Sequence, residues 1–248
     1  MSADAPPVVV VREHGVTHVT LNRPERGNAF ALDMVEAALA AVQAASTDGT
    51  RLLVIAGAGK NSCTGLDLTD LATASDGDLL LRLVRIETLL DAVWRAPCVT
   101  MSVGRGRVMG AGADLFTACD RRLAIEGSSY TFPGAVFGVA LGTRRLMERI
   151  GADLARDIVR SGRVLPHDEA VRVGLATMSV PPEGVEPEII AAQQAATRLD
   201  AETAATIHRL ARRDDSDVDL AGLVRSAARP GLKDRILAYR ARTLTTKA

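Results

Sequence analysis

Apolar positions along the chain switch between two periods. Near the start, the β-branched runs at 8–12 and 16–21 flank Glu13-His14-Gly15, a pattern that predicts a hairpin. From 32 to 45 the spacing becomes helical, and Asp33 and Glu36 sit where a helix dipole favours anions. Residues 52–56, LLVIA, predict a short buried strand that stops at Gly57-Ala58-Gly59. A helix is then expected over 78–95, ending before Pro97, which has no N–H to continue it. Strand 98–103, helix 112–119 and short strands at 121–125 and 129–132 follow. From 143 onward the pattern is nearly all helix, interrupted at Ser161-Gly162, at Gly174 and at the Pro181-Pro182-Glu183-Gly184 turn. That turn divides an α/β core, 1–185, from a helical region, 186–248.

Composition narrows the picture. Of 248 residues, 47% are hydrophobic but only 3% aromatic, so the core is built from small aliphatic side chains and suits close helix–strand packing. The 30 basic and 30 acidic residues cancel, and no segment interleaves Lys or Arg with aromatics, which argues against nucleic acid and anionic membranes as partners. Cys63, Cys98 and Cys119 are widely spaced, favouring neither a disulfide framework nor a zinc site and pointing to the reducing cytoplasm. The opening MSADAPP has no features of an export signal, and no apolar run approaches the ~20 residues that span a bilayer. His14, His18, His167 and His208 show no metal-ligand spacing, so no metal is expected. RRDDSDVD, 212–219, lacks the glycine and glutamate of a calcium loop and is expected to be a solvated loop.

Several stretches invite chemistry. In GRGRVMGAGAD, 104–114, Gly104-x-Gly106 follows a strand as in dinucleotide-binding folds, with Glu126 downstream; the third glycine, however, comes one place late and no βαβ unit follows. GAGKNS, 57–62, echoes a phosphate-binding loop but has Asn61 where Ser or Thr should follow the lysine. Ser62 and Cys63 lack a nucleophile elbow and an identifiable His partner, which favours a buried or turn role. Two glycine-containing turns gain meaning as a pair: SCTGLDL at 62–68 and GRVMGAGADL at 106–115, each after a strand and each expected to run into a helix.

With these turns the chain resembles the crotonase superfamily, the enoyl-CoA hydratase/isomerase family. VTLNRPERGNAF at 19–30, LLVIAGAGKNSCTGLDL at 52–68, CVTMSVGRGRVMGAGADLFTACDRRLA at 98–124 and LMERIGADLARDIVRSGRVLPHDEAVRVGLA at 146–176 carry the resemblance in the family's order. It implies an α/β, crotonase-like (ClpP/crotonase) spiral of ββα units with a C-terminal helical region. The family acts on coenzyme A thioesters through an enolate-like oxyanion held by two backbone N–H groups, here those of Leu66 and Ala111. One such donor is typically worth about 2.7 to 4 kcal/mol in the transition state. Beyond the thioester as substrate, no cofactor is implied.

The resemblance places Arg26, Gly27, Ala29, Thr64, Asp67 and Leu68 around the coenzyme A, although Thr64 stands where the family commonly has alanine. Asp67 can equally be read as a helix N-cap. Members that hydrate a double bond use two glutamates. At the first of these positions stands Asp114, one methylene shorter and so drawn back by about 1.5 Å; at the second, in TFPGAVFG, stands Gly134, which can transfer no proton. GVALGTRRL, 138–146, is also shorter than the family's corresponding turn. The expectation is an acyl-CoA enzyme with Asp114 as its acid or base and with hydratase activity in doubt. A non-catalytic acyl-CoA-binding paralogue, and decarboxylation or thioester hydrolysis through Asp114, remain open, as does a purely structural Asp114. Glu126, Tyr130 and Arg105 are spare polar groups near in sequence. The family's C-terminal helices build trimers or dimers of trimers, and GLKDRILAYRAR at 231–242 has spacing that suits either such an interface or an intramolecular face.

Overall fold

The computed structural model describes residues 5–245, so the ends of the two expected regions, and the first four residues of MSADAPP, lie outside the described residues. Strands β1 (Val8–Glu13) and β2 (Val16–Leu21) pair antiparallel, with Val8 opposite Leu21 and Glu13 opposite Val16. His14 and Gly15 between them have φ of 49° and 77°. Two left-handed residues make the turn whose twist matches a hairpin. The next elements are α1 (Leu32–Ala45), β3 (Leu52–Gly57), α2 (Asp76–Trp94), β4 (Val99–Gly104), β5 (Arg107–Met109), α3 (Ala111–Ala118), β6 (Arg121–Ile125) and β7 (Ser129–Thr131). Beyond them lie α4 (Thr143–Ile150), α5 (Ala152–Ser161), β8 (Leu165–Pro166), α6 (His167–Arg172), β9 (Met178–Val180), α7 (Val185–Ala196), α8 (Ala201–Ala211), α9 (Ser216–Ala227) and α10 (Leu232–Thr245).

Six strands form the main sheet in the order β1-β2-β3-β4-β6-β9, parallel except for the hairpin. A smaller sheet joins β5, β7 and β8. Strand β3 shows why LLVIA carries no polar position. Leu53 and Ile55 enter the core beneath α1 and α2, while Leu52 and Val54 enter the opposite core with Ile189 and Ala192 of α7. A strand covered on both faces reads as a continuous apolar run. A further cluster, Leu79, Leu83, Val139, Leu223, Leu232 and Ile236, draws α9 and α10 back onto α2. Thus 231–242 supplies an intramolecular face. Among the described residues no helix is long and apolar enough to cross a membrane.

The structure departs from the sequence reading in particular places. Strands β5, β8 and β9, two or three residues each, were not expected, and β9 breaks the nearly all-helical reading after 143. Helix α2 begins earlier than 78: Ser75 caps it, accepting from the Asp78 N–H at 3.1 Å while the Asp78 carboxylate accepts the Ser75 N–H at 2.9 Å. RRDDSDVD is not a solvated loop throughout. Its last four residues open α9, and Asp219 accepts from Arg144 Nη2 at 2.6 Å while Arg212 reaches Asp120 and the Trp94 carbonyl.

Candidate functional site

The two glycine turns meet because backbone stitches them. Met109 N–H donates to the Cys63 carbonyl at 2.9 Å, and Cys63 and Val108 form a parallel bridge. A Cβ on Gly112 would lie 2.5 Å from the Cys63 carbonyl oxygen, so no side chain fits between the turns at that point. Asn28 holds the first turn from below. It is fully buried, accepts from the Arg23 N–H at 2.8 Å and donates to the carbonyls of Ala58 and Asn61 at 2.9 and 2.8 Å. Its φ of 54° is one that asparagine tolerates better than most residues. Asn61 extends the stitching by accepting the Arg107 N–H at 3.0 Å.

Leu66 is bridged to Phe30: Phe30 N–H donates to the Gly65 carbonyl at 2.7 Å and Asp67 N–H to the Phe30 carbonyl at 3.1 Å. In a parallel ladder alternate N–H groups point to opposite sides, which turns the Leu66 N–H away from Phe30. Ala111 is the first residue of α3, so its N–H has no partner within that helix. Both residues line one cavity of about 150 Å³ together with Thr64, Leu68, Gly134 and Asp114. Apolar side chains form most of the rest of the wall, among them Leu83, Phe132, Phe137, Val139 and Leu141, with Ile236 and Tyr239 supplied by α10.

Asp114 lies in the first turn of α3, its N–H donating to the Gly110 carbonyl at 2.9 Å. Its side chain is buried and Oδ1 has no hydrogen-bond partner. Gly142, with φ of 64°, presses its backbone against this carboxyl; a Cβ there would lie 2.2 Å from Oδ1. Burial raises the Asp114 pKa well above the usual aspartate value, the nearby Glu87 carboxylate raises it further, and Arg145 opposes both. Asp114 is therefore held towards its neutral, protonated form. Among the described residues, only Asp114 and the Tyr239 phenol are ionisable groups on the cavity wall.

Behind Asp114 lies a charge cluster that sequence reading missed. Arg145 is fully buried and donates to both Glu87 oxygens, at 2.6 and 3.2 Å; Asp219 Oδ2 and Asp91 Oδ1 lie 3.4 and 3.8 Å from its Nη2. The signal was present: Glu87 falls on the same helical face as Leu83, Ile86 and Leu90, a charged residue at a core-facing position.

The remaining expected residues divide. Arg26 and Asp67 line a shallow groove beside the cavity, where Arg26 Nη1 donates to Thr69 Oγ1 at 3.0 Å and lies 3.8 Å from Asp67. Gly27 accepts the Thr64 N–H at 3.0 Å, and Ala29 is buried behind it. The N-cap reading of Asp67 fails, because no helix starts there. Its Oδ1 instead accepts the Thr69 N–H at 2.9 Å in a turn, so the first glycine turn does not run directly into a helix. Ser62 Oγ donates to the Val103 carbonyl at 2.8 Å and accepts the Arg105 N–H at 2.7 Å, while burial pushes the Cys63 thiol up to about 12. Both are structural. Glu126 and Arg105 are exposed, and Tyr130 is buried against Phe116 with its hydroxyl 3.2 Å from Ser128 Oγ; none of them lines the cavity.

Comparison with known proteins decides the family. The sequence profile for enoyl-CoA hydratase/isomerase matches residues 11–223. The chain belongs to the enoyl-CoA hydratase/isomerase family, within the crotonase superfamily. A family protein from Bordetella parapertussis has a crystal structure that superposes with a TM-score of 0.94 at 45% identity, over 96% of this chain and 99% of that one. In Mycobacterium leprae, a protein named probable enoyl-CoA hydratase echA6 is 33% identical over 174 residues, covering 67% of this chain and 68% of its own length. Mouse ethylmalonyl-CoA decarboxylase is 30% identical over 169 residues, covering 66% of this chain and 52% of its own. Family members thus share the architecture, while their names span more than one reaction.

Proposed function

We propose that the protein is an acyl-CoA enzyme in which the Leu66 and Ala111 N–H groups hold a thioester enolate and Asp114 handles the proton. The observation that carries this reading is the buried Asp114, its Oδ1 unpartnered, among the residues lining the cavity that Leu66 and Ala111 also line. Two N–H donors aimed at a developing oxyanion lower its energy, and the position of Ala111 at a helix N-terminus adds partial positive charge. Arg26, Gly27, Ala29, Thr64, Asp67 and Leu68 are assigned to the coenzyme A moiety. No cofactor other than this thioester substrate is called for.

With Gly134 at the other family position, addition of water by a pair of carboxylates is disfavoured. An Asp114 whose burial favours the protonated form suits donation of a proton to the α-carbon of an enolate. Loss of carbon dioxide from a carboxyacyl thioester forms that enolate without a base: the C–C bond electrons move into the enolate, and the Asp114 O–H then protonates carbon. Decarboxylation is accordingly the second reading, favoured by the burial of Asp114 and by the mouse relative's name. A panel of enoyl-CoA and carboxyacyl-CoA thioesters tests both. Turnover of one class, lost in Asp114→Ala with binding retained, is the expected result; binding without turnover across the whole panel would identify a non-catalytic paralogue. We further assign the open apolar positions of α8 and α9, Ile207, Leu210 and Val218, to contacts between copies in a trimer or dimer of trimers. A cytoplasmic location fits the reduced, buried cysteines.

A further inference from the structure

Four facts converge behind the cavity. Asp114 Oδ1 is buried and unpartnered, and Arg145 Nε is likewise buried and unpartnered. Arg145 lies in the first turn of α4, three residues after Gly142, whose backbone presses on Asp114. The rest of its guanidinium is turned to Glu87, a carboxylate that is itself buried on α2. A cation beside a carboxyl favours its ionised form, and a second carboxylate engaging that cation cancels the effect.

We propose that Glu87 and Arg145 form a positioning pair for Asp114: by holding the guanidinium, Glu87 withholds its charge from the Asp114 carboxyl and sets the pH at which that carboxyl gives up its proton. Neither residue lines the cavity, so both act through Asp114 and not on substrate. The other charged groups on α2 and α4 have partners of their own: Arg82 with Asp70, Arg85 with Glu36, Asp78 with Ser75, Asp76 with the Lys233 N–H, and Glu148 with Arg144. On α2, Asp91 lies 3.8 Å from Arg145. From α9, Asp219 lies 3.4 Å from Arg145 and binds Arg144 of α4. Arg149, lower on α4, donates to the Thr117 and Cys119 carbonyls. Of the strands packed on α3, β4 has no titratable side chain and β5 has only the exposed Arg107. Tyr239 of α10 faces the cavity from the far wall. The inference rests on the reading of Asp114 as proton donor only for its catalytic meaning; the electrostatic claim stands on geometry.

The test follows Asp114 directly. Protein labelled at aspartate Cγ is titrated by NMR, with Asp114 assigned from the resonance missing in Asp114→Asn; Glu87 carries no label and is silent. In Glu87→Gln, which keeps shape and removes charge, Asp114 ionises at lower pH than in the parent. Asp219→Asn, nearer the surface, moves it in the same direction by less and serves should Glu87→Gln fail to fold. An unchanged or raised titration midpoint in the folded variants overturns the proposal. Where the thioester panel yields turnover, its pH–rate profile moves with the midpoint. If Asp114→Asn keeps full turnover while the midpoint still shifts, the proton-donor reading falls and the pair remains.

Discussion

Removing Arg145 would strand a charge that the core cannot solvate. In Arg145→Met the side chain keeps much of its apolar bulk, but Glu87, 2% exposed, loses both hydrogen bonds and is left facing the carboxylates of Asp91 and Asp219. Breaking a buried pair from one side typically costs about 3 to 5 kcal/mol. In a chain of this size each kcal/mol moves the thermal midpoint by roughly 2 to 4 °C, so the expected fall is roughly 6 to 20 °C. The same reasoning makes the double variant Glu87→Leu/Arg145→Met much less damaged than the single, because no unpaired charge remains. Urea unfolding of both, at one fixed protein concentration since assembly couples to stability, gives the comparison. A single-variant loss below about 1 kcal/mol, or a double variant no more stable than Arg145→Met, would refute the account of the pair as a buried, mutually dependent unit.

Asp114→Asn separates stability from chemistry. Because burial raises the Asp114 pKa, the folded state keeps a proton that the unfolded chain loses above about pH 3.9, and this group's contribution to stability falls as pH rises toward the folded pKa. The unfolding free energy of Asp114→Asn relative to the parent should therefore grow with pH over that window, and parallel pH profiles would contradict it. Gly112→Ala places a methyl 2.5 Å from the Cys63 carbonyl oxygen and 2.7 Å from its Cβ, so denaturation should show a loss of about 1 to 3 kcal/mol despite alanine's better helix propensity. Leu210, 80% exposed on a helix with no buried residue, is a place where a charge costs nothing in a lone chain. Leu210→Glu should lower the assembled mass in light scattering without lowering monomer helicity; an unchanged mass removes α8 from the interface.

Much of the fold was legible because its largest elements carry strong periods. Helix α1 runs over the residues its spacing predicts, and β2 and β3 announce themselves as a β-branched and a continuous apolar run. Strands β5, β8 and β9 were not legible, since two or three residues carry no period and exist as strands only through their partners in space. The same division holds at the site. The glycine turns and Asp114 could be placed by local pattern, whereas Arg145, Glu87 and Asp219 come from three helices far apart in sequence and meet only after packing. Asn28 lies between: its place in a turn is readable, but its bonds to Ala58 and Asn61 are not.

Helix α10 has a consequence for the order in which the molecule becomes competent. Its Ile236 and Tyr239 close one wall of the cavity, and its first turn is pinned by Asp76, which accepts the N–H groups of Gly231, Leu232 and Lys233 at 3.0, 3.1 and 2.8 Å. Every other wall residue precedes α10 in the chain. During synthesis the cavity stays open to water on that side until these residues leave the ribosome and dock. A nascent chain held short of residue 239 would own every proposed catalytic group and still lack the enclosure in which they act.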